Sequence, residues 1–198
     1  MANYLFIFSA PDAHIDFLQK YPDSLRDYVA GRRPKIVPPT DWKPTFWQRL
    51  FGASPPRQPV ARGEIPDDWP VSEPKMIGPN INHRNVDLYH SILNGTADYV
   101  DGSGSIFQTW FMAKHSAIDL TGEDYAFKSD QVPALLPLLS RVDRERVKAV
   151  FTKWLRKKSD SYSPTDDACD AFVEEFKAFE LGVTDAVNRS HGLIWVCG

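Results

Sequence analysis

The sequence predicts an α+β fold: a small mixed sheet containing both chain termini, packed by several helices. Three observations predict it. Tyr4-Leu5-Phe6-Ile7-Phe8 near the start and Leu193-Ile194-Trp195-Val196-Cys197 near the end are short, unbroken apolar runs, as strands buried on both faces are. Between them lie several stretches with apolar residues at spacings of three and four, the helical period. Pro38 to Pro79 follows neither pattern and holds ten of the sixteen prolines. The two apolar runs are expected to be neighbours in the middle of one sheet. A chain of 198 residues suffices for one sizeable domain, predicted to run 1–198 with 38–79 as a Pro/Trp-rich insertion or arm.

The elements follow in order. Ser9-Ala10-Pro11-Asp12 is a helix-start signal, and Ile15, Phe17 and Leu18 carry the apolar side toward Tyr21. Pro22 suits the first turn of a second helix, whose face is Leu25, Tyr28 and Val29 and whose stop is Gly31. The prolines of 38–79 forbid long helices and central strands, leaving room for one short helix, Phe46 to Phe51. Trp42, Trp47 and Trp69 either anchor this arm on the core or form a partner-binding surface, since exposed tryptophan is a frequent hot spot.

Asn82 to Gly95 reads as the clearest central helix, with a stripe of Val86, Tyr89 and Leu93 and an Asn-Gly stop. Thr96 to Gly104 reads as a loop, and Ser105 as the cap of a helix over Ile106 to Lys114. Tyr125 and Phe127 alternate in a short strand, Glu123 to Lys128. Ser129 is expected to cap a leucine-rich helix that Pro137 interrupts. Asp143 caps the next helix, whose apolar face is Val147, Val150, Phe151, Trp154 and Leu155, with basic residues on the other faces. After a turn at Ser159 to Pro164, Thr165 caps a long helix carrying Phe172, Phe176, Phe179 and Val183. Gly182 inside it costs about 1 kcal/mol relative to alanine, so it marks a close approach or a break. His191-Gly192 is expected to end that segment. There is no internal repeat.

Composition bounds the function. A hydrophobic fraction of 42% with 25% charged residues is that of a soluble globular protein. The formal charge of −3 argues against bulk nucleic-acid or anionic-membrane binding. No apolar run reaches the roughly 18 residues needed to span a bilayer, and no secretory signal is legible. Cys169 and Cys197 make neither a disulfide scaffold nor a zinc site and read as buried cytosolic thiols.

No constellation reaches the specificity of a catalytic motif. His83, Asp87 and His90 share one helical face and offer metal-ligand chemistry, with His115 as a further candidate, but the pattern is not HExxH. Asp98, Asp101, Asp119, Glu123 and Asp124 flank the aromatic stretch and offer acid–base pairs only if two of them meet. Asp-Gly-Ser-Gly-Ser at 101–105 lacks phosphate-loop spacing, and there is no GxSxG elbow. The basic run Arg144 to Lys158 offers contacts to phosphates, although it reads first as the solvated side of an amphipathic helix.

Four stretches resemble a known family. They are the opening strand with Tyr21-Pro-Asp-Ser-Leu-Arg-Asp-Tyr-Val29, then Asn85-Val-Asp-Leu-Tyr-His-Ser-Ile-Leu-Asn-Gly95, then Tyr125-Ala-Phe-Lys-Ser-Asp-Gln-Val132, and the closing helix, helix and strand. Their order resembles the YfbM-like bacterial proteins, the domain-of-unknown-function family numbered 1877. The resemblance covers most of the chain except the Pro/Trp-rich insertion. It implies a compact α+β domain and brings no agreed activity, so no functional residues carry over.

The expected function is a non-enzymatic protein-binding module in the cytoplasm, most concretely an immunity protein that binds and neutralises a toxin, with no cofactor. Its expected contact residues are Trp42, Trp47, Trp69, Asp98, Asp101, Glu123 and Asp124. The alternatives are a metal-dependent hydrolase built on His83, Asp87 and His90, and nucleic-acid binding through the basic helix.

Overall fold

The computed structural model describes residues 4–35, 62–109, 116–157 and 163–198. Two compact units divide the chain: Met1–Ile15 with Lys75–Gly198, and Asp16–Pro74.

The first unit is built on a five-stranded sheet of order β2-β1-β5-β4-β3. Its strands are β1 (Tyr4–Pro11), β2 (Ile81–Asn82), β3 (Ile118–Asp119), β4 (Tyr125–Phe127) and β5 (His191–Cys197). The two apolar runs are adjacent at its centre, in register from Leu5 opposite Cys197 to Pro11 opposite His191. Ile7, Trp195 and Tyr125 lie side by side across three strands, and the Tyr125 and Trp195 rings stand 5.6 Å apart. The expected placement of the terminal strands therefore holds. All pairings among the described strands are antiparallel, where a mixed sheet was expected. An apolar run reports burial of both faces and says nothing of strand direction.

Four helices of this unit are α3 (Val86–Asn94), α4 (Leu136–Leu139), α5 (Arg144–Arg156) and α6 (Asp166–Asn188); α6 lies on β1 and β5, α4 and α5 pack on α6, and α3 packs on α4 and α5. Asp143 and Thr165 cap α5 and α6, their side chains accepting from the Arg146 and Ala168 amides at 2.8 and 3.3 Å. Gly95 closes α3 in the left-handed conformation, φ +74°, where a Cβ would be strained. Phe176, Phe179 and Val183 of α6 meet Tyr89, Ile92 and Leu93 of α3 and Leu5, Ile7 and Trp195 of the sheet in one buried cluster. Gly182 marks a close approach: a Cβ built there lies 2.7 Å from the Ile77 Cβ. The segment carrying Ile77 runs beside β1, with the Ile77 amide donating to the Ile7 carbonyl at 2.9 Å.

Several local expectations change. Helix α6 stops at Asn188, Ser190 turns the chain at φ +53°, and His191 and Gly192 belong to β5. Ser129 is no cap: its amide and hydroxyl both donate to the Asp12 carboxylate, at 2.9 and 2.8 Å. The leucine stretch becomes a 3-10 turn, Val132–Leu135, followed by α4, each with a proline in its first turn. Residues 106–108 form a turn rather than a helix, and the rest of that expected helix lies almost wholly outside the described residues, as does Phe46 to Phe51.

Helix α1 (Asp12–Lys20) begins in the first unit and ends in the second. The second unit adds a 3-10 turn, Pro22–Ser24, and α2 (Leu25–Val29). Trp69 is its centre. The indole stands 5.0 Å from the Phe17 ring and 5.0 Å from the Tyr28 ring, edge-on to both, and its N–H donates to the Arg32 carbonyl at 2.8 Å. Glu64 accepts from Lys20 at 3.0 Å and from the Tyr21 hydroxyl.

Candidate functional site

Trp42 and Trp47 lie outside the described residues. Trp69 is only 2% exposed, so its ring is core of the Asp16–Pro74 unit and offers no face to a partner. Asp98 and Asp101 lie on the loop after α3, while Glu123 and Asp124 lie on the β3–β4 turn. Two of these acids are spent on local structure. Asp124 accepts from the Cys197 amide at 2.7 Å and from the Thr121 hydroxyl at 2.6 Å, tying the end of β5 to the turn. Asp98 accepts from the Thr96 hydroxyl at 3.1 Å. Asp101 and Glu123 are exposed.

The metal face does not assemble. Among the described residues, no three His, Cys, Asp or Glu side chains come together to hold an ion. His90 is fully buried, and both ring nitrogens are engaged. Nε2 lies 2.9 Å from the Asp98 carbonyl and Nδ1 lies 3.2 Å from the Asn94 side-chain amide. A carbonyl only accepts and an amide N–H donates, so the neutral Nε2–H tautomer satisfies both. Burial pushes the His90 pKa down against the pull of the Asp98 carbonyl and of Asp87 and Asp98. The Asp87 carboxylate is exposed, and His115 lies outside the described residues. Cys169 is buried and its thiol pKa is pushed up by that burial, which makes it an inert core thiol.

The basic helix divides into two halves. Toward its N-terminus, Arg144 pairs with Asp166 at 3.3 Å and with Asp170 at 2.7 Å, and Lys148 reaches Asp166 at 3.4 Å. Arg146 turns inward and donates to the Ile92 and Leu93 carbonyls, so its guanidinium closes the C-terminal end of α3. Toward the C-terminus, Lys153, Arg156 and Lys157 are exposed. Among the described residues no acidic side chain pairs with them.

That second half borders a cleft of about 310 Å3 between α5 and the loop after α3. Val150, Lys153, Trp154 and Lys157 form one wall, and Ser91 with Gly95 to Asp98 the other. Of the apolar face predicted for α5, only Val147 is fully buried; Val150, Phe151, Trp154 and Leu155 are half-buried. Phe151 meets Phe172 at 5.0 Å and Trp154 at 6.1 Å, so the strip is packed against α6 through Phe151 and keeps partial exposure along its length. The cations around Trp154 were the sequence signal for this site. Periodicity assigned Trp154 to the core because it marks an apolar side without saying how completely that side is covered.

A solved structure, that of YfbM from Escherichia coli, a protein of unknown function, superimposes with a TM-score of 0.49 at 10% identity. The match covers 100% of this chain and 100% of that chain. No protein-family model matches the sequence, and no curated protein matches it. Among the described residues no helix is long and apolar enough to cross a membrane.

Proposed function

We propose that this chain is a cytoplasmic protein-binding module of the YfbM-like kind, most concretely an immunity protein that binds and neutralises a toxin. The observation that supports it is the half-covered strip Val150, Phe151, Trp154 and Leu155 on α5, which stands beside a cleft and exposed cations. Aromatic side chains with a basic rim are the composition of binding hot spots. The chemistry the site offers is recognition: it brings together apolar surface and fixed charge.

The test is affinity capture of tagged protein from its native host at moderate salt, followed by reconstitution with the purified partner. A stoichiometric protein whose toxicity is suppressed by binding supports immunity. A partner without toxicity supports the binding module and removes the immunity role. An empty capture counts against both.

A further inference from the structure

We infer that the cleft beside α5 takes an acidic segment of a protein partner, anchored by an apolar or aromatic side chain set against Val150 and Trp154. This rests on the protein-binding reading and adds the surface and the chemistry of the occupant.

Charge complementarity selects the occupant. Arg144 and Lys148 are neutralised by Asp166 and Asp170 of the neighbouring helix, and Arg146 is spent on the Ile92 and Leu93 carbonyls. Among the described residues, Lys153, Arg156 and Lys157 have no acidic partner. Lys153 and Lys157 are one helical turn apart and both line the cleft. Asp98, on the opposite wall, is the one acid among the described residues of the lining. Among the described residues, two lysines against one aspartate leave the lining at +1, and Arg156 beside it makes +2. An anionic segment gains there from an electrostatic rim around an apolar floor, the arrangement that speeds encounter and fixes register.

A nucleic acid fits less well. Binding to a phosphate backbone scales with the number of phosphates neutralised. This helix has already given Arg144 and Lys148 to acids of the neighbouring helix, which leaves a short cationic end rather than a track for several phosphates.

The experiment is selection of phage-displayed random peptides of about twelve residues on the immobilised full-length chain. Enriched peptides are then titrated by fluorescence anisotropy against wild type, the triple variant K153E/R156E/K157E and W154A. A fluorescein-labelled oligo-dT is titrated in parallel. The expected result is enrichment of Asp and Glu around an aromatic or aliphatic residue. Affinity should fall at least about tenfold in the triple variant. The triple variant changes only exposed side chains and so keeps its fold, checked by circular dichroism, whatever W154A does. Enriched peptides without acidic bias, or unaffected by the triple variant, overturn the assigned surface while protein binding stands. No enrichment overturns both. Oligo-dT binding tighter than any peptide, and falling steeply with salt, replaces the acidic segment with nucleic acid.

Discussion

Replacing Gly182 with alanine sets two effects of opposite sign against each other in the middle of α6. In an open helix the change is favourable by about 1 kcal/mol, because alanine restricts the unfolded chain and suits the helical backbone. Here the new methyl would lie 2.7 Å from the Ile77 Cβ and 2.9 Å from the Ile77 carbonyl oxygen. Carbon atoms rest at roughly 3.5–4.0 Å, so Ile77 must retreat by about 1 Å. It cannot retreat alone, because its amide is bonded to Ile7 of the central strand β1 at 2.9 Å. Overpacking of this kind costs about 1–3 kcal/mol. The net expectation for Gly182→Ala is a loss of about 1 kcal/mol, read by urea unfolding followed through tryptophan fluorescence. In a chain of this length that corresponds to a fall in Tm of about 2–4 °C. Ala178→Gly is the control: Ala178 is exposed on the same helix, so its cost of about 1 kcal/mol reports propensity alone. A Gly182→Ala protein as stable as wild type, or more so, would refute the steric account of this glycine.

Three further outcomes follow from individual side chains. Arg146→Ala should cost about 2 kcal/mol in urea unfolding, since it removes charge-assisted bonds to two carbonyls and a cation from the end of α3, while Arg146→Lys should recover only part because the fork is lost. His90 has a folded pKa below its ordinary 6.5, so the unfolded chain takes up a proton first and stability is lost as pH falls below about 6.5, by at most about 1.4 kcal/mol per pH unit until the folded pKa is reached; His90→Gln should flatten that part of a stability-versus-pH curve, and an unchanged slope would show that other groups set it. Trp69→Ala should cost about 3–5 kcal/mol and open the Asp16–Pro74 unit to limited proteolysis, and a protease-resistant variant would show that the indole is not the centre of that unit.

The central strands were legible because burial on both faces leaves no polar residue in the run, as Leu193, Ile194 and Trp195 illustrate. The caps were legible because Asp143 and Thr165 act on amides three residues away. What failed to show were elements too short for a period and contacts too distant in the chain. Strands β2 and β3 have two residues each. Asp12 takes the hydroxyl that made Ser129 look like a cap, across 117 residues of chain. The indole of Trp69 finds its acceptor in Arg32, 37 residues earlier, so nothing local marked it as buried rather than displayed. Spacing set His83, Asp87 and His90 on one face, but the carbonyl of Asp98 and the amide of Asn94 decided what His90 does there. The candidate cleft was legible in its residue types and illegible in its exposure.

The pairing of β1 with β5 has a kinetic consequence. Leu5 meets Cys197 and Tyr4 exchanges both backbone hydrogen bonds with Gly198, at 2.7 and 2.9 Å. The middle of the sheet is thus its least local contact, and the entropy of closing almost the whole chain must be met before that ladder contributes. Helices α5 and α6 and the β3–β4 hairpin can form early, whereas the β1–β5 ladder waits for the last strand to appear. A circular permutant that joins Gly198 to Met1 by a short linker turns this pair into a local hairpin. If closure limits the rate, the permutant folds faster while the native sheet is unchanged.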